Sequence, residues 1–152
     1  MPYFQELRQV PHGAEQMFGI VADIESYPAF LPWCVGARVL ERRAADSHIQ
    51  IERAELMVGF KSFRERYTSE VTLDHQQMTI RAIHVSGPFK HLNSQWRFGA
   101  QDDGTTQVGF TIDFAFRNPV LGFVADRFFS EAARRMIQAF EARAAVLYKP
   151  AI

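Results

Sequence analysis

The sequence predicts an α+β fold in which one long C-terminal helix lies on an antiparallel sheet. Three observations carry this. Leu92, Ser94, Trp96 and Phe98 alternate with Asn93, Gln95 and Arg97, and after Asp102-Asp103-Gly104 the residues Val108, Phe110, Ile112, Phe114 and Phe116 alternate with smaller or polar partners. Period-two alternation on both sides of a hairpin turn signal marks paired strands with one apolar face. Downstream, Phe129, Ala133, Met136, Ile137, Phe140, Ala144 and Leu147 fall three or four apart, the stripe of an amphipathic helix. The only long helix thus follows the sheet and has a face to lay on it.

The other elements follow in chain order. Residues 3–10 read as a first strand ended by Pro11, and residues 13–22 as a short helix through Met17, Phe18, Val21 and Ala22. Ser26 is a candidate cap for a second short helix, with proline in its first turn and Pro32 as its breaker. Residues 35–43 read as a strand of poor alternation. In the next, Ile49, Ile51 and Met57 form the expected apolar face, interrupted by Arg53 and Glu55. A turn at Gly59 leads to a strand with Phe63, Tyr67, Val71 and Leu73 on one side. Met78, Ile80, Ala82 and His84 then share a face opposite Ile83 and Val85. Asn118-Pro119 closes the sheet and starts the long helix, which runs to about Tyr148. With no repeat or linker, residues 1–152 are expected to form one domain.

Composition narrows the function classes. Lys+Arg and Asp+Glu are equal at 17 each, so no strong whole-chain attraction to DNA or other nucleic acid is expected. The pairs Arg42-Arg43 and Arg134-Arg135 read as solvated surface. A single cysteine, Cys34, rules out an internal disulfide and a multi-cysteine zinc site. Met1–Glu6 lacks a basic segment leading into a long apolar run, and no stretch reaches the ~20 apolar residues of a membrane span, so a soluble cytoplasmic protein is expected. Fourteen phenylalanines are many for 152 residues and suggest an interior that holds a ligand, although aromatic rings also pack well on one another.

Recognisable catalytic patterns are absent from the sequence. His12, His48, His75, His84 and His91 have no metal-ligand spacing, and neither a nucleophile elbow nor a phosphate or dinucleotide glycine loop is present. Cys34, beside Trp33, suits a small buried hydrophobe. The most distinctive segment is Tyr27-Pro28-Ala29-Phe30-Leu31-Pro32-Trp33-Cys34, where two prolines stiffen a chain bearing three aromatics and a leucine. It reads either as a plug on a core or as the rim of an apolar cavity.

Three blocks carry a family resemblance: Asp23-x-x-Ser26-Tyr27-Pro28-x-Phe30-Leu31-Pro32-Trp33, then Gly87-Pro88-Phe89-Lys90-x-Leu92-x-x-x-Trp96-x-Phe98, then Asp113-Phe114-x-Phe116. With Phe140-Glu141-x-Arg143-Ala144, the chain resembles the coenzyme Q-binding, polyketide cyclase-like branch of the START-related superfamily, over essentially its whole length. The resemblance implies a helix-grip fold: a curved antiparallel sheet of about seven strands wrapped around the long helix, with two short helices after the first strand and a cavity between sheet and helix. It implies two roles that the shared motifs do not separate. One is non-enzymatic ubiquinone or isoprenoid-lipid binding in support of respiration, with peripheral contact at the inner membrane. The other is toxin-like association with the large ribosomal subunit. A small-molecule cyclase is a third, requiring an inward acid–base group such as His84 or Glu65. No cofactor beyond the bound lipid is implied. The candidate ligand-binding residues are Tyr27, Phe30, Leu31, Trp33, Phe63, Tyr67, Phe89, Trp96, Phe114, Phe116, Phe129, Met136 and Phe140, each of which also suits core filling. Lys61, Arg64, Arg66 and Lys90 are the candidate basic residues near the cavity mouth.

Overall fold

The structure is a computed structural model that describes residues 3–60 and 63–149, without the side chains of Phe60, Phe63 and Ala125. Its order is β1 (Tyr3–Val10), α1 (Ala14–Ala22), a 3₁₀ segment (Ile24–Ala29), then β2 (Cys34–Ala44), β3 (Ile49–Phe60), β4 (Phe63–Asp74), β5 (Thr79–Ser86), β6 (Phe89–Ala100), β7 (Thr106–Phe116) and α2 (Pro119–Leu147). The strands form one sheet in the order β1-β7-β6-β5-β4-β3-β2, every neighbouring pair antiparallel. β1 and β2 are consecutive strands yet lie at opposite edges. The connection between them must therefore cross the sheet's width, which carries α1, the 3₁₀ segment and the Tyr27–Cys34 run over its concave face.

Local chemistry sets the helix ends. The Gln16 side chain accepts from the Gly13 backbone N–H at 3.0 Å, satisfying a free donor at the start of α1. At α2, Asn118 Oδ1 accepts from Val120 N at 2.8 Å, and Pro119 occupies the first helical position, where no N–H is needed. Between them, the concave face of the sheet supplies Val71, Leu73, Ile80, Trp96, Phe98, Val108 and Phe110 to the core. Met17, Phe18, Val21 and Ile24 close one side of that core, and Ala133, Ile137, Phe140 and Ala144 of α2 the other. Trp96 is the centre of this packing, its ring 4.5 Å from Phe110 and 5.1 Å from Phe140.

Four expectations need correction. Ser26 is no cap: the 3₁₀ segment starts two residues earlier, and the Ser26 hydroxyl donates to Asp23 Oδ2 at 2.6 Å. Gly59 is not a turn but a strand residue opposite Arg64, its N–H bound to the Trp33 carbonyl at 2.8 Å. β3 buries the face opposite to the expected one: Glu52 and Ala54 are buried and Leu56 and Val58 point to the cavity, while Arg53 is exposed beside Ile51. The charges Arg53 and Glu55 mark the outer face, where Glu55 meets Arg38 of β2 at 3.0 Å. Leu147, the last residue of the apolar stripe, is about half exposed, and Tyr148 just after it packs against the core instead. The weak alternation of β2 has a simple cause: its register slips between Cys34 and Gly36 and again between Val39 and Glu41.

Candidate functional site

A cavity in two connected chambers lies between the concave face, α2 and the Tyr27–Cys34 run. The inner chamber is about 270 Å³ and the outer about 390 Å³. Both are lined by Trp33, Val58, Tyr67, Leu92, Ile112, Phe129 and Ala132, so the two form one continuous slot. The inner chamber ends among buried Val71, Ile80 and Trp96. The outer chamber is bordered by Phe128, which is more than half exposed, and by the surface ion pair of Arg135 with Glu131 at 2.8 Å, so it is the open end. Small-molecule sites typically occupy ~300–1,000 Å³ with mostly apolar walls.

Of the residues singled out from sequence, Tyr27, Leu31, Trp96, Met136 and Phe140 border the inner chamber. Phe89, Phe114 and Phe116 border the outer one, and Trp33, Tyr67 and Phe129 border both. Phe30 lines neither: its ring sits 5.3 Å from Phe140, and the Arg143 guanidinium covers it at 5.3 Å. The Phe63 side chain and Lys61 lie outside the described residues. Sequence reasoning missed Ala54, Leu56 and Val58, because it assigned β3 the wrong face, and it missed Ser69 and Ser94. The signal for β3 was present: Arg53 and Glu55 share parity with Ile49, Ile51 and Met57, which argues that this face is the outer one.

Several local devices shape the walls. Trp33 has φ of 67°, a left-handed conformation unusual for a bulky residue, and its carbonyl is held by Gly59 N–H. This bend aims its indole at the junction of the chambers. Gly87 has φ of 138°, and a Cβ there would stand 2.6 Å from Tyr67 Cβ. Only glycine lets the β5–β6 turn settle on Tyr67, whose ring then meets Phe89 edge-on at 5.3 Å. The Tyr27 hydroxyl donates to the Val21 carbonyl, tying the run to α1. Burial pushes the Tyr27 and Tyr67 phenols far above their ordinary range and raises the Cys34 thiol, so all three stay protonated.

Chemistry in the cavity is sparse. His84 and Glu65 are both half-buried, but His84 stands opposite Ser69, and Ser69 lies four residues from Glu65 along β4. At ~3.3 Å per residue their strand positions are separated by roughly 13 Å, too far for one acid–base pair. Among the described residues, no group of three His, Cys, Asp or Glu side chains is arranged to hold a metal ion.

A family profile described as polyketide cyclase / dehydrase and lipid transport matches residues 10–141. The chain belongs to that family. It is 34% identical over 149 residues to the ribosome association toxin RatA of Rickettsia prowazekii (strain Madrid E), covering 96% of this chain and 98% of that protein. It is 35% identical over 151 residues to the mitochondrial coenzyme Q-binding protein COQ10 homolog B of Xenopus laevis, covering 95% of this chain and 59% of that protein. Among solved structures, the 18 kDa protein CC1736 from Caulobacter crescentus is 35% identical with a TM-score of 0.80, covering 97% and 98% of the two chains. At 20% identity, a START superfamily protein from Mycobacterium smegmatis aligns with a TM-score of 0.81 over 96% of this chain and 99% of that one. The Zhui aromatase/cyclase from Streptomyces sp. R1128, also 20% identical, aligns at 0.75 over 95% and 93%. These last two show the fold alone: the chain has the START-like, helix-grip architecture that its motifs resemble.

Proposed function

We propose that this START-like protein is a non-enzymatic binder of ubiquinone or a similar isoprenoid lipid, serving respiration as a carrier or chaperone. The observation that carries this reading is the slot itself: two joined chambers of about 270 and 390 Å³, walled by aromatic and aliphatic side chains and open at one end. An elongated apolar molecule with a compact polar head suits such a shape, because burying its tail releases roughly 25 cal/mol for each Å² removed from water. The named coenzyme Q-binding relative supports the choice of lipid.

A carrier must also collect its cargo. Val120 and Phe123 on α2 are each about two-thirds exposed, and Phe128, further along the same helix, borders the open end of the slot. Among the described residues no helix is long and apolar enough to cross a membrane, so this patch is read as a peripheral contact. In this reading the protein is cytoplasmic and touches the inner membrane with the mouth of its slot.

The deciding experiment is extraction of the purified protein with organic solvent followed by mass spectrometry. A co-purifying quinone, or saturable binding of added ubiquinone to protein that has lost it, is expected. Protein that retains no quinone and binds none when it is added sinks the reading.

Ribosome association is a second reading, favoured by the toxin-named relative aligned along nearly its full length and by exposed Arg64, Arg66 and Lys90. Sucrose-gradient fractionation at low salt separates it: co-migration with the large subunit supports it, and absence from that fraction removes it. Equal numbers of acidic and basic residues argue against a strong RNA contact.

A further inference from the structure

We propose that the ligand enters head first and that its polar head, a neutral oxygen-bearing group such as a quinone carbonyl, is hydrogen-bonded by Ser69 and His84. This rests on the lipid-binding reading above and adds the orientation and the anchor. Ser69 is 4% exposed and lines the inner chamber, and its hydroxyl oxygen has no hydrogen-bond partner among the described residues. His84 lies behind the chamber walls, its ring 5.6 Å from Phe89, and its Nε2 is also shielded and without a partner among them. The two residues are direct register partners on β4 and β5. Such a pair sets its Cβ atoms ~4.5–5.5 Å apart on one face of the sheet, close enough for one ligand oxygen to lie between the side chains.

The surroundings make this pair conspicuous. On one side stands Ala54, opposite Ser69 on β3, and beyond β5 come Leu92 and its register partner Phe114. These three are apolar, and the inner chamber's other serine is Ser94, on β6. Packing alone gives no reason for a hydroxyl at position 69, where alanine or valine would fill the wall without the desolvation cost of burying an unpaired polar atom. A ligand oxygen offsets that cost. Burial, and then the nearby Arg117, pull the imidazole pKa below the ordinary histidine value, against a backbone hydrogen bond with Ser86 that pulls it up. A hydroxyl, and an imidazole in the tautomer with its proton on Nε2, both donate, which suits an uncharged carbonyl oxygen.

Orientation follows from which polar atoms lack a partner. Ser69, unpartnered, belongs to the enclosed inner chamber, whereas the outer chamber presents Phe89, Phe114, Phe116 and Phe128, and its charged border residues Arg135 and Glu131 pair with each other at 2.8 Å. The head therefore goes inward and the isoprenoid tail occupies the outer chamber toward the mouth.

The test compares two probes on the intact protein: a ubiquinone with two isoprene units, and farnesene, an isoprenoid hydrocarbon without oxygen. Equilibrium dialysis of wild type, Ser69→Ala and His84→Leu is expected to show quinone affinity falling about 10-fold in each variant, which is ~1.4 kcal/mol, with farnesene affinity unchanged. Infrared spectra of the ¹³C-carbonyl quinone should show a lowered C=O stretch in wild type that moves back up in Ser69→Ala. Unchanged quinone affinity in both variants overturns the anchor. So does a parallel loss of both probes in Ser69→Ala. If His84→Leu alone loses both probes, His84→Gln and the infrared shift in Ser69→Ala decide. A wild type that binds neither probe overturns the lipid-binding reading and the anchor with it, an outcome distinct from the others.

Discussion

The two halves of α2 carry similar apolar residues in opposite surroundings. In the C-terminal half, Ala133, Ile137, Phe140 and Ala144 are buried against the sheet and the Tyr27–Cys34 run, with Tyr27, Phe30 and Trp96 all packed around the Phe140 ring. In the N-terminal half, Val120, Phe123 and Phe128 stand more than half exposed, and Phe128 borders the open chamber. The difference separates two uses of hydrophobic surface. One half is covered and holds the fold together. The other is left uncovered and adds little to the core; in the lipid-binding reading proposed above, this surface serves contact rather than stability.

That contrast breaks most directly at Phe140. Phe140→Ala removes the ring shared by three aromatic partners and is expected to destabilise the protein by about 3–5 kcal/mol, read as a lower denaturant midpoint. Gly87→Ala comes next. It places a methyl group against Tyr67 at a positive φ and should cost about 1–3 kcal/mol while disturbing a wall that both chambers share. Phe123→Ser is expected to change stability by less than about 0.5 kcal/mol yet weaken co-sedimentation with phospholipid vesicles several-fold, because the side chain is exposed in the free protein. Loss of stability without loss of vesicle binding would reverse the roles assigned to the two halves.

The smallest effect concerns Cys34, which borders the inner chamber. Its thiol is raised above the ordinary value by burial, so the thiolate fraction at pH 7.5 is below that of a free cysteine. Alkylation by iodoacetamide should be slower than for a free thiol at pH 7.5, and should speed up as pH rises through the elevated pKa. Bound quinone should slow it further. Reaction as fast as a free thiol at neutral pH would show that the inner chamber is open to water.

Much of the architecture was legible because it is written in local periodicity. The alternation of Val108 to Phe116, the stripe from Phe129 to Ala144, and Asn118-Pro119 as a helix start each depend on residues close in sequence, and each is where it was expected. The motif blocks around Trp33, Phe89 and Phe114 likewise pointed to segments that meet at one slot. Register and crossing are different in kind, since they depend on which distant strand a residue faces. β3 reads ambiguously by itself, and pairing with β2 and β4 decided that Ala54, Leu56 and Val58 turn inward. Nothing in the local sequence distinguishes exposed Phe123 from buried Phe140 on one helix; the extent of the sheet beneath them does. Ser69 and His84 are 15 positions apart and unremarkable alone, and only the β4–β5 register sets them side by side. The sequence by itself determined the elements and their apolar faces, through short-range spacing. The tertiary structure decided which polar groups those faces enclose, because burial is a property of the whole packed chain.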